Sequence, residues 1–308
     1  MSKANAENLA LTATSFFDLI KIDPSSLQSL LANKRKYYSV FFLPKKKGGS
    51  REITPSKGLL KTLQYRIKSL LDARIKWPPY LHGGIKGRSV LTNADRHVGH
   101  QMVVNLDIKD CFPSTTDQKV KDALLSFGLD NDLAQLVTDI CTFKGHVPQG
   151  APTSTCIVNL VLRAIDKDFY GYCKRRGFHY SRFVDDITIS ADQDLRPFKN
   201  VFHGFIEAHD YQVSQYLPFA RNKRQIVTGL VVNDKLRPTF EFIQDLKSNI
   251  KAGWPENNTL ELVANEYGLS IHQLKANIWG RVAFVRSIDN KLGRKLRGLL
   301  AKVRWNYE

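Results

Sequence analysis

Cysteine is scarce in this chain of 308 residues, and its four cysteines stand too far apart to form a Cys-x-x-Cys pair. They are Cys111, Cys141, Cys156 and Cys173. This spacing argues against a zinc knuckle or a redox motif, and in a reducing cytosol such thiols stay free. Long apolar runs are missing too, since none reaches the roughly 18 to 20 residues that a membrane-spanning helix needs. The N-terminal segment lacks a basic stretch followed by an apolar stretch and a cleavage site, so we expect neither secretion nor a membrane partner.

Acidic residues are few relative to basic ones, because 29 Asp and Glu stand against 46 Lys and Arg and leave a formal net charge of +17. Such a surplus attracts polyanions over long distances, which makes nucleic acid the first partner to consider. The hydrophobic fraction of 43% is ordinary for a globular protein with a substantial core. The length suits one large domain or about two smaller ones.

The order of apolar and polar residues predicts helices at both ends of the chain and alternating strands and helices between them. The predicted helical segments are residues 1–40, 57–76, 157–169 and the part after about residue 240. The predicted strands are residues 38–43, 51–53 and 102–107, a strand pair over 178–190 broken at Asp185 and Asp186, and a hairpin over 225–238 turning at Asn233 and Asp234.

Three carboxylates have the clearest chemical pattern. Asp107 closes a predicted strand, and Asp185 and Asp186 stand side by side at a predicted hairpin tip. A turn can present adjacent side chains near one point, and a third carboxylate beside them would be repelled unless a cation joined the group. Hard divalent ions such as Mg²⁺ take oxygen ligands of this kind. An Asp-Asp pair alone is more often a polar surface turn, so the flanking residues decide.

Those flanks resemble three motifs of reverse transcriptases, in the family's order. Residues 105–114, Asn-Leu-Asp-Ile-Lys-Asp-Cys-Phe-Pro-Ser, resemble the motif of the first catalytic aspartate. Residues 149–154, Gln-Gly-Ala-Pro-Thr-Ser, resemble the Q-G-x-P-x-S motif. Residues 182–186, Arg-Phe-Val-Asp-Asp, resemble the aromatic-x-Asp-Asp motif, with Phe183 where most members carry tyrosine. The chain is identified by this resemblance as a member of the reverse transcriptase family, the RNA-directed DNA polymerases.

Within that family the chain is most similar to the retron reverse transcriptases of bacteria. Their N-A-x-x-H signature is matched at residues 93–97, and their V-T-G signature at residues 227–229. Residues 51–56 resemble a stretch of the fingers that begins with Arg-x-Ile and ends with Pro-Ser. The resemblance implies an α+β right-hand polymerase with fingers, a palm (an antiparallel sheet with helices) and a small helical thumb. We expect residues 1–40 to be an N-terminal helical extension, 41–237 the fingers and palm, and 238–308 the thumb.

The resemblance also implies roles for individual residues. Asp107, Asp185 and Asp186 would be catalytic and, with the backbone carbonyl of Ile108, would hold two Mg²⁺ ions, or Mn²⁺ in their place. Two such ions roughly 4 Å apart lower the pKa of an attacking hydroxyl and stabilise a leaving pyrophosphate. The expected nucleotide-binding residues are Arg51, Phe112, Gln149, Gly150 and Phe183.

Each of these nucleotide-site residues has a physical argument. The planar fork of Arg51 suits phosphate oxygens, while the neighbouring lysines 45–47 either assist it or form a solvated hairpin tip. Phe112 matches the family's aromatic gate, whose ring would clash with a ribose 2′-OH; a core aromatic is the alternative. Gly150, next to Gln149, lets backbone approach a substrate closely. Phe183 keeps an aromatic ring but lacks the tyrosine hydroxyl.

The expected RNA-binding residues fall in three groups. Asn93 and His97 would contact RNA, or else form a structural hydrogen-bonded pair. Val227, Thr228 and Gly229 would support the primer grip or the RNA, with strand packing as the alternative. Arg294 and Arg297 lie on the basic side of an amphipathic last helix, which is either a solvated face or a groove for nucleic acid.

One departure from the family pattern concerns a lysine. An N-x-x-K-T-like stretch commonly precedes V-T-G by about ten residues, and residues 213–223 of this chain carry no lysine at that place. That lysine is a proposed general acid for pyrophosphate. Arg221, Lys223 or water are the alternatives.

The resemblance to retron enzymes implies partners that the residues alone do not show. These are a cognate structured noncoding RNA, the single-stranded DNA copied from it, deoxynucleoside triphosphates and an accessory effector in anti-phage defence. Synthesis would start from an RNA 2′-OH and give a branched RNA–DNA product, msDNA, in the bacterial cytoplasm. One alternative is another bacterial reverse transcriptase, of the diversity-generating or abortive-infection class. The other is an RNA-binding scaffold with decayed catalysis, which the three aspartates argue against and the missing lysine favours.

Overall fold

The structure is a computed structural model that describes residues 13–45, 48–257 and 259–305, with side chains from residue 16 onward. The predicted helical content of residues 1–12 lies outside the described residues, as do Lys46 and Lys47 of the basic hairpin. None of the described helices is both long enough and apolar enough to cross a membrane.

Helices make up about half of the described chain. They are α1 (Ala13–Ile20), α2 (Pro24–Ala32), α3 (Gly58–Arg74), α4 (Val90–Asp95), α5 (Cys111–Ser114), α6 (Asp117–Ser126), α7 (Asn131–Cys141), α8 (Ser154–Val161), α9 (Arg163–Arg175), α10 (Lys199–Glu207), α11 (Phe240–Ala252), α12 (Leu260–Glu266), α13 (Ile271–Ile288) and α14 (Asn290–Leu300). The predicted helices over residues 57–76 and at the C-terminal end are confirmed.

The strands form three antiparallel sheets. They are β1 (Phe41–Pro44), β2 (Ser50–Ile53), β3 (Met102–Ile108), β4 (His179–Phe183), β5 (Asp186–Ala191), β6 (Val213–Ala220), β7 (Ile226–Val227), β8 (Leu230–Val231) and β9 (Arg237–Pro238). β1 and β2 make a hairpin, β7 to β9 make a small sheet, and the largest sheet has the order β4-β5-β3-β6. Antiparallel sheets with separate helices confirm the predicted α+β class.

Strand β3 lies in the middle of the largest sheet, paired with β5 on one side and β6 on the other. Its apolar residues are buried, as expected of a central strand that is covered by helices. Part of that cover comes from α9 and α10, where Phe169 lies 5.2 Å from Tyr180 of β4 and 5.3 Å from Phe202 between ring centres. A rigid central strand therefore ends at Asp107 and Ile108.

Two predicted elements differ in detail. The predicted helix over residues 157–169 is split, because α8 ends before Leu162 and α9 begins after it, with Leu162 at ψ −6°. Apolar residues are buried on both sides of the break, such as Leu160 in α8 and Ile165 in α9, so apolar spacing alone cannot reveal it. The predicted hairpin over 225–238 is three short strands, and its first reversal falls at Thr228 and Gly229, with φ of 44° and 82°. Two consecutive residues of positive φ allow a two-residue hairpin loop there.

Buried apolar residues form three clusters. The largest includes residues from α1 and α2, such as Phe16 and Leu30, together with the sheet and its helices. A second cluster consists of described residues that all follow residue 240. A third, small cluster holds Val103, Val227 and Leu230, and Phe284 of α13 packs against it. This third cluster connects the C-terminal helices to the sheet that carries the carboxylates.

Candidate active site

The three carboxylates meet at one edge of the largest sheet. Asp107 and Asp186 are direct cross-strand partners of β3 and β5. The backbone N–H of Ile108 donates to the carbonyl oxygen of Asp185 at 3.2 Å. Strand register and the hairpin tip thus bring together the residues that were expected to act together.

The turn that carries Asp185 is strained. Phe183 pairs with Asp186, so Val184 and Asp185 alone connect β4 to β5. Val184 has a φ of 61°, which is an outlier for a β-branched residue. Such backbone persists only where the surroundings enforce it, and it occurs most often at functional sites.

The electrostatics of the cluster disfavour its full negative charge. Burial, together with the charges of Asp185 and Asp107, raises the pKa of Asp186 to about 7. Burial also raises the pKa of Asp185, to which the charge of Asp107 adds, while Arg51 and Arg182 oppose the rise. Nearby positive charge therefore compensates the negative charge of the cluster only in part, which suits the cluster to attract cations.

The donor set fits hard divalent ions, which prefer carboxylate and carbonyl oxygens. Among the described residues, no three His, Cys, Asp or Glu side chains come close enough to enclose a metal ion by themselves. Mg²⁺ usually keeps several waters and takes substrate phosphates as further ligands. Asp107, Asp185 and Asp186 therefore suit a shell that substrate and water complete.

The predicted nucleotide-binding residues lie around this edge. Arg51 stands on β2, opposite Leu43 of β1, and its charge acts on Asp185. The carbonyl oxygen of Gln149 accepts from the N–H of Thr54 at 2.7 Å, which ties the Gln149–Gly150 loop to the end of β2.

Gly150 has a φ of 110°, and a Cβ there would lie 3.3 Å from the Cγ2 of Ile53. A side chain at this position is therefore disfavoured by both backbone and space. Phe112 lies in α5 and Phe183 at the end of β4, and both are half-buried.

A buried charge network, which sequence reasoning missed, lies beneath the strained turn. Arg182 is fully buried, and its Nε and Nη2 donate to the two oxygens of Asp166 at 2.7 and 2.6 Å. The hydroxyl of Tyr180 donates to the same carboxylate at 2.6 Å. Although burial acts to lower it, the pKa of Arg182 is raised above its ordinary value by Asp166. Arg182 and Asp166 therefore form an ion pair inside the protein.

This network reaches the turn directly. Nη1 of Arg182 donates to the carbonyl oxygen of Val184 at 2.5 Å and to the Oδ1 of Asn159 at 3.0 Å. The Nδ2 of Asn159 donates to the carbonyl oxygen of Gly83 at 2.8 Å. Arg182 belongs to the aromatic-x-Asp-Asp motif quoted above, but only Asp166, on the apolar side of α9, shows why a charge is buried there.

Gly83 lies directly against the same turn. A Cβ at Gly83 would lie 2.4 Å from the backbone N of Val184, so either the turn or the segment beside it must move. Displacing a reacting group by about 1 Å can reduce a rate roughly 100-fold. We expect Gly83→Ala to slow primer extension by about that factor. Gly204→Ala on α10, where a Cβ meets nothing within 4 Å, is the matched control and should keep the wild-type rate.

The structure places Asn93 and His97 inside the protein, with no exposed surface. Nδ1 of His97 lies 2.8 Å from the hydroxyl of Ser190, and Nε2 lies 2.7 Å from that of Ser181. Direct RNA contact does not fit this geometry, because a side chain without exposed atoms cannot touch RNA. The structural alternative accounts for His97, although its partners are serines and not Asn93.

Buried His97 implies a pH dependence of stability. Burial lowers the pKa of His97 well below its ordinary value. Below pH 6.5 the unfolded chain binds a proton at this histidine, whereas the folded chain keeps the ring neutral. Protonation therefore favours the unfolded chain, and the stability that neutral His97 contributes at higher pH is lost as the pH falls. The full slope is about 1.4 kcal/mol per pH unit. We expect the change in Tm between pH 7.5 and pH 5.5 to be more negative for the wild type than for His97→Gln, whose side chain cannot titrate. Equal changes would contradict this assignment.

The V-T-G residues divide between interior and site. Val227 is buried in the third cluster, as simple strand packing predicts. Thr228 and Gly229 line a cavity of about 190 Å³ together with Asp107 and Asp186. The hydroxyl of Thr228 donates to the carbonyl oxygen of Val90 at 3.1 Å. The loop is thus held by α4 and faces the carboxylates, as a primer grip would.

The arginines predicted to bind RNA and the basic residues considered as proton donors lie in different parts of the structure. Arg294 and Arg297 are exposed on α14, opposite the buried Leu296. Arg221 follows β6 at the end where Met102 pairs with Ala220, five residues along β3 from Asp107. At roughly 3.4 Å per residue this is about 17 Å, and Lys223 lies further along the chain. Arg221 and Lys223 therefore lie beyond the end of β3 that is far from Asp107, and their role as proton donors stays a prediction.

Comparisons with known proteins agree with this geometry. Residues 43–228 match the family described as Reverse transcriptase (RNA-dependent DNA polymerase). The chain is 33% identical over 223 residues to the Retron Mx65 reverse transcriptase of Myxococcus xanthus, covering 65% of this chain and 52% of that protein. It is 32% identical over 301 residues to the Retron Mx162 reverse transcriptase of the same organism, covering 87% and 61%. It is 27% identical over 299 residues to the Retron Ec86 reverse transcriptase of Escherichia coli, covering 93% and 88%.

The chain spans between half and two thirds of the length of the two Myxococcus proteins. The matched segment nevertheless exceeds half of this chain, and it contains the sheet edge where Asp107, Asp185 and Asp186 meet. The chain therefore belongs to the reverse transcriptase family.

Proposed function

We propose that this protein is an RNA-directed DNA polymerase, a nucleotidyltransferase that extends a primer along an RNA template. The observation that carries the proposal is the register that pairs Asp107 with Asp186 beside the strained turn of Asp185. Members of the family depend on divalent metal ions in general. Two Mg²⁺ ions held by these carboxylates and the carbonyl of Ile108, with Mn²⁺ as a substitute, would activate the attacking hydroxyl and stabilise the departing pyrophosphate.

The surrounding residues then receive specific tasks. Arg51 neutralises the triphosphate of the incoming nucleotide, for which its planar fork is suited. Gln149 and Gly150 line the nucleotide pocket, which the tie to β2 keeps in place. Phe112 excludes a ribose 2′-OH. Phe183 contributes an apolar surface beside the turn.

We further propose that the enzyme is of the retron type, which the names of its relatives and the N-A-x-x-H and V-T-G signatures support. It would recognise a cognate structured noncoding RNA and copy part of it from an RNA 2′-OH into branched RNA–DNA, msDNA. Thr228 and Gly229 would hold the primer end, while Arg294 and Arg297 would contact RNA phosphates. An accessory effector and a role in bacterial anti-phage defence complete the proposal.

The decisive experiment is purification from the native host, followed by sequencing of the nucleic acid that co-purifies. We expect a short single-stranded DNA joined covalently to a structured RNA through a 2′ linkage. Assorted cellular RNA without a fixed partner would contradict the retron proposal and leave another class of reverse transcriptase. Structured RNA without DNA, from cells that contain the wild-type chain, would instead favour an RNA-binding scaffold.

A further inference from the structure

Strand β6 contains the segment in which the family's lysine is missing, and it runs beside the end of β3. Its pairing with β3 is regular from Met102 to Asp107 and then shifts by one residue. Asp107 pairs with Gln215, whereas Ile108 pairs with Val213, so Ser214 is the extra residue of a β-bulge. Bulges beside active sites commonly redirect a side chain.

The bulge directs Ser214 at Asp107. In regular pairing, Gln215 would share a face with Asp107 while Ser214 pointed to the opposite face. Instead, the hydroxyl of Ser214 donates to the Oδ2 of Asp107 and also lies 3.3 Å from the carbonyl oxygen of the same residue. One oxygen of the carboxylate is held in this way, and the other stays available to a cation.

We propose that Ser214 is a positioning residue that orients the carboxylate of Asp107 for a divalent cation. This inference rests on the proposed function of Asp107 as a metal ligand. Hydrogen-bond partners of metal-ligating carboxylates fix the orientation of the ligand, and their loss typically lowers metal affinity by about 10- to 100-fold.

The test uses the whole chain without nucleotide. Mn²⁺ is the probe, and its binding is measured by electron paramagnetic resonance. The difference between the wild type and Asp185→Asn identifies binding at the carboxylate cluster. We expect Ser214→Ala to bind Mn²⁺ at this cluster about tenfold more weakly, and Ser214→Thr, which keeps the hydroxyl, to bind nearly as the wild type. Ser214 is exposed, so the Tm of Ser214→Ala should stay unchanged and misfolding does not confuse the result.

A second readout is the Mg²⁺ concentration that gives half of the maximal primer-extension rate. It should rise in Ser214→Ala, with most of the rate recovered at saturating Mg²⁺. The matched control is Ser126→Ala on α6, an exposed serine whose hydroxyl donates to the carbonyl oxygen of Ala123 at 2.7 Å. It should change neither quantity.

The outcomes separate the two proposals. If the wild type binds Mn²⁺ at the cluster and Ser214→Ala binds it equally or more tightly, the positioning role is overturned while the proposed metal site stands. If the wild type binds no more Mn²⁺ than Asp185→Asn does, the metal site itself fails, and the role of Ser214 fails with it.

Discussion

Replacing Asp185 by asparagine is expected to reduce primer extension by about 10³-fold or more, because several kcal/mol of charge stabilisation would be lost at the reacting phosphate. RNA binding should persist, since the exposed arginines of α14 and the loop at Thr228 are untouched. The Tm measured without metal should stay equal or rise. Burial and the charge of Asp107 both disfavour the Asp185 carboxylate in the folded chain, and the amide removes that disadvantage.

The measurement combines primer extension, RNA binding and thermal unfolding on the same preparation. The control is Asp194→Asn, an exposed aspartate beyond the other end of β5 that pairs with Arg196 at 2.7 Å. It should leave all three quantities near their wild-type values. An Asp185→Asn protein that extends primers at the wild-type rate would remove the carboxylate cluster from the proposed chemistry.

Replacing Arg182 by methionine is expected to destabilise the folded protein by about 3–5 kcal/mol. Asp166 is buried, and without its partner it keeps an uncompensated charge in the interior. The carbonyl oxygen of Val184 also loses its donor, so the strained turn under Asp185 loses its support. We expect a lower Tm and a loss of primer extension in the same variant.

The double variant Arg182→Met with Asp166→Leu separates the two effects. Replacing both partners of a buried ion pair by apolar residues of similar volume is often neutral or stabilising. Its Tm should therefore recover most of the loss, whereas primer extension should stay low because the turn still lacks its donor. Recovery of both quantities would show that the network contributes stability only and does not position the catalytic turn.

Local patterns in the sequence placed Asp107 at the end of an apolar strand, and Asp185 and Asp186 at the turn of a hairpin. The C-terminal helices and the hairpin of β4 and β5 also followed from apolar periodicity. The joint action of the three carboxylates and the α+β class followed instead from the resemblance to reverse transcriptases. Burial of Asn93 and His97 could not be predicted, because polar residues in a short helix, or just after it, show no sign of what packs around them.

The sequence by itself determined the local elements that carry Asp107, Asp185 and Asp186, since strand periodicity and turn residues act over a few positions of the chain. Only the tertiary structure decided how those residues are held. Arg182 finds Asp166 and Asn159 on different helices, and Ser214 reaches Asp107 through a one-residue shift in register. Contacts of this kind depend on how distant segments pack and on where the pairing register of two strands shifts. A shift of one residue reverses the face on which a side chain lies.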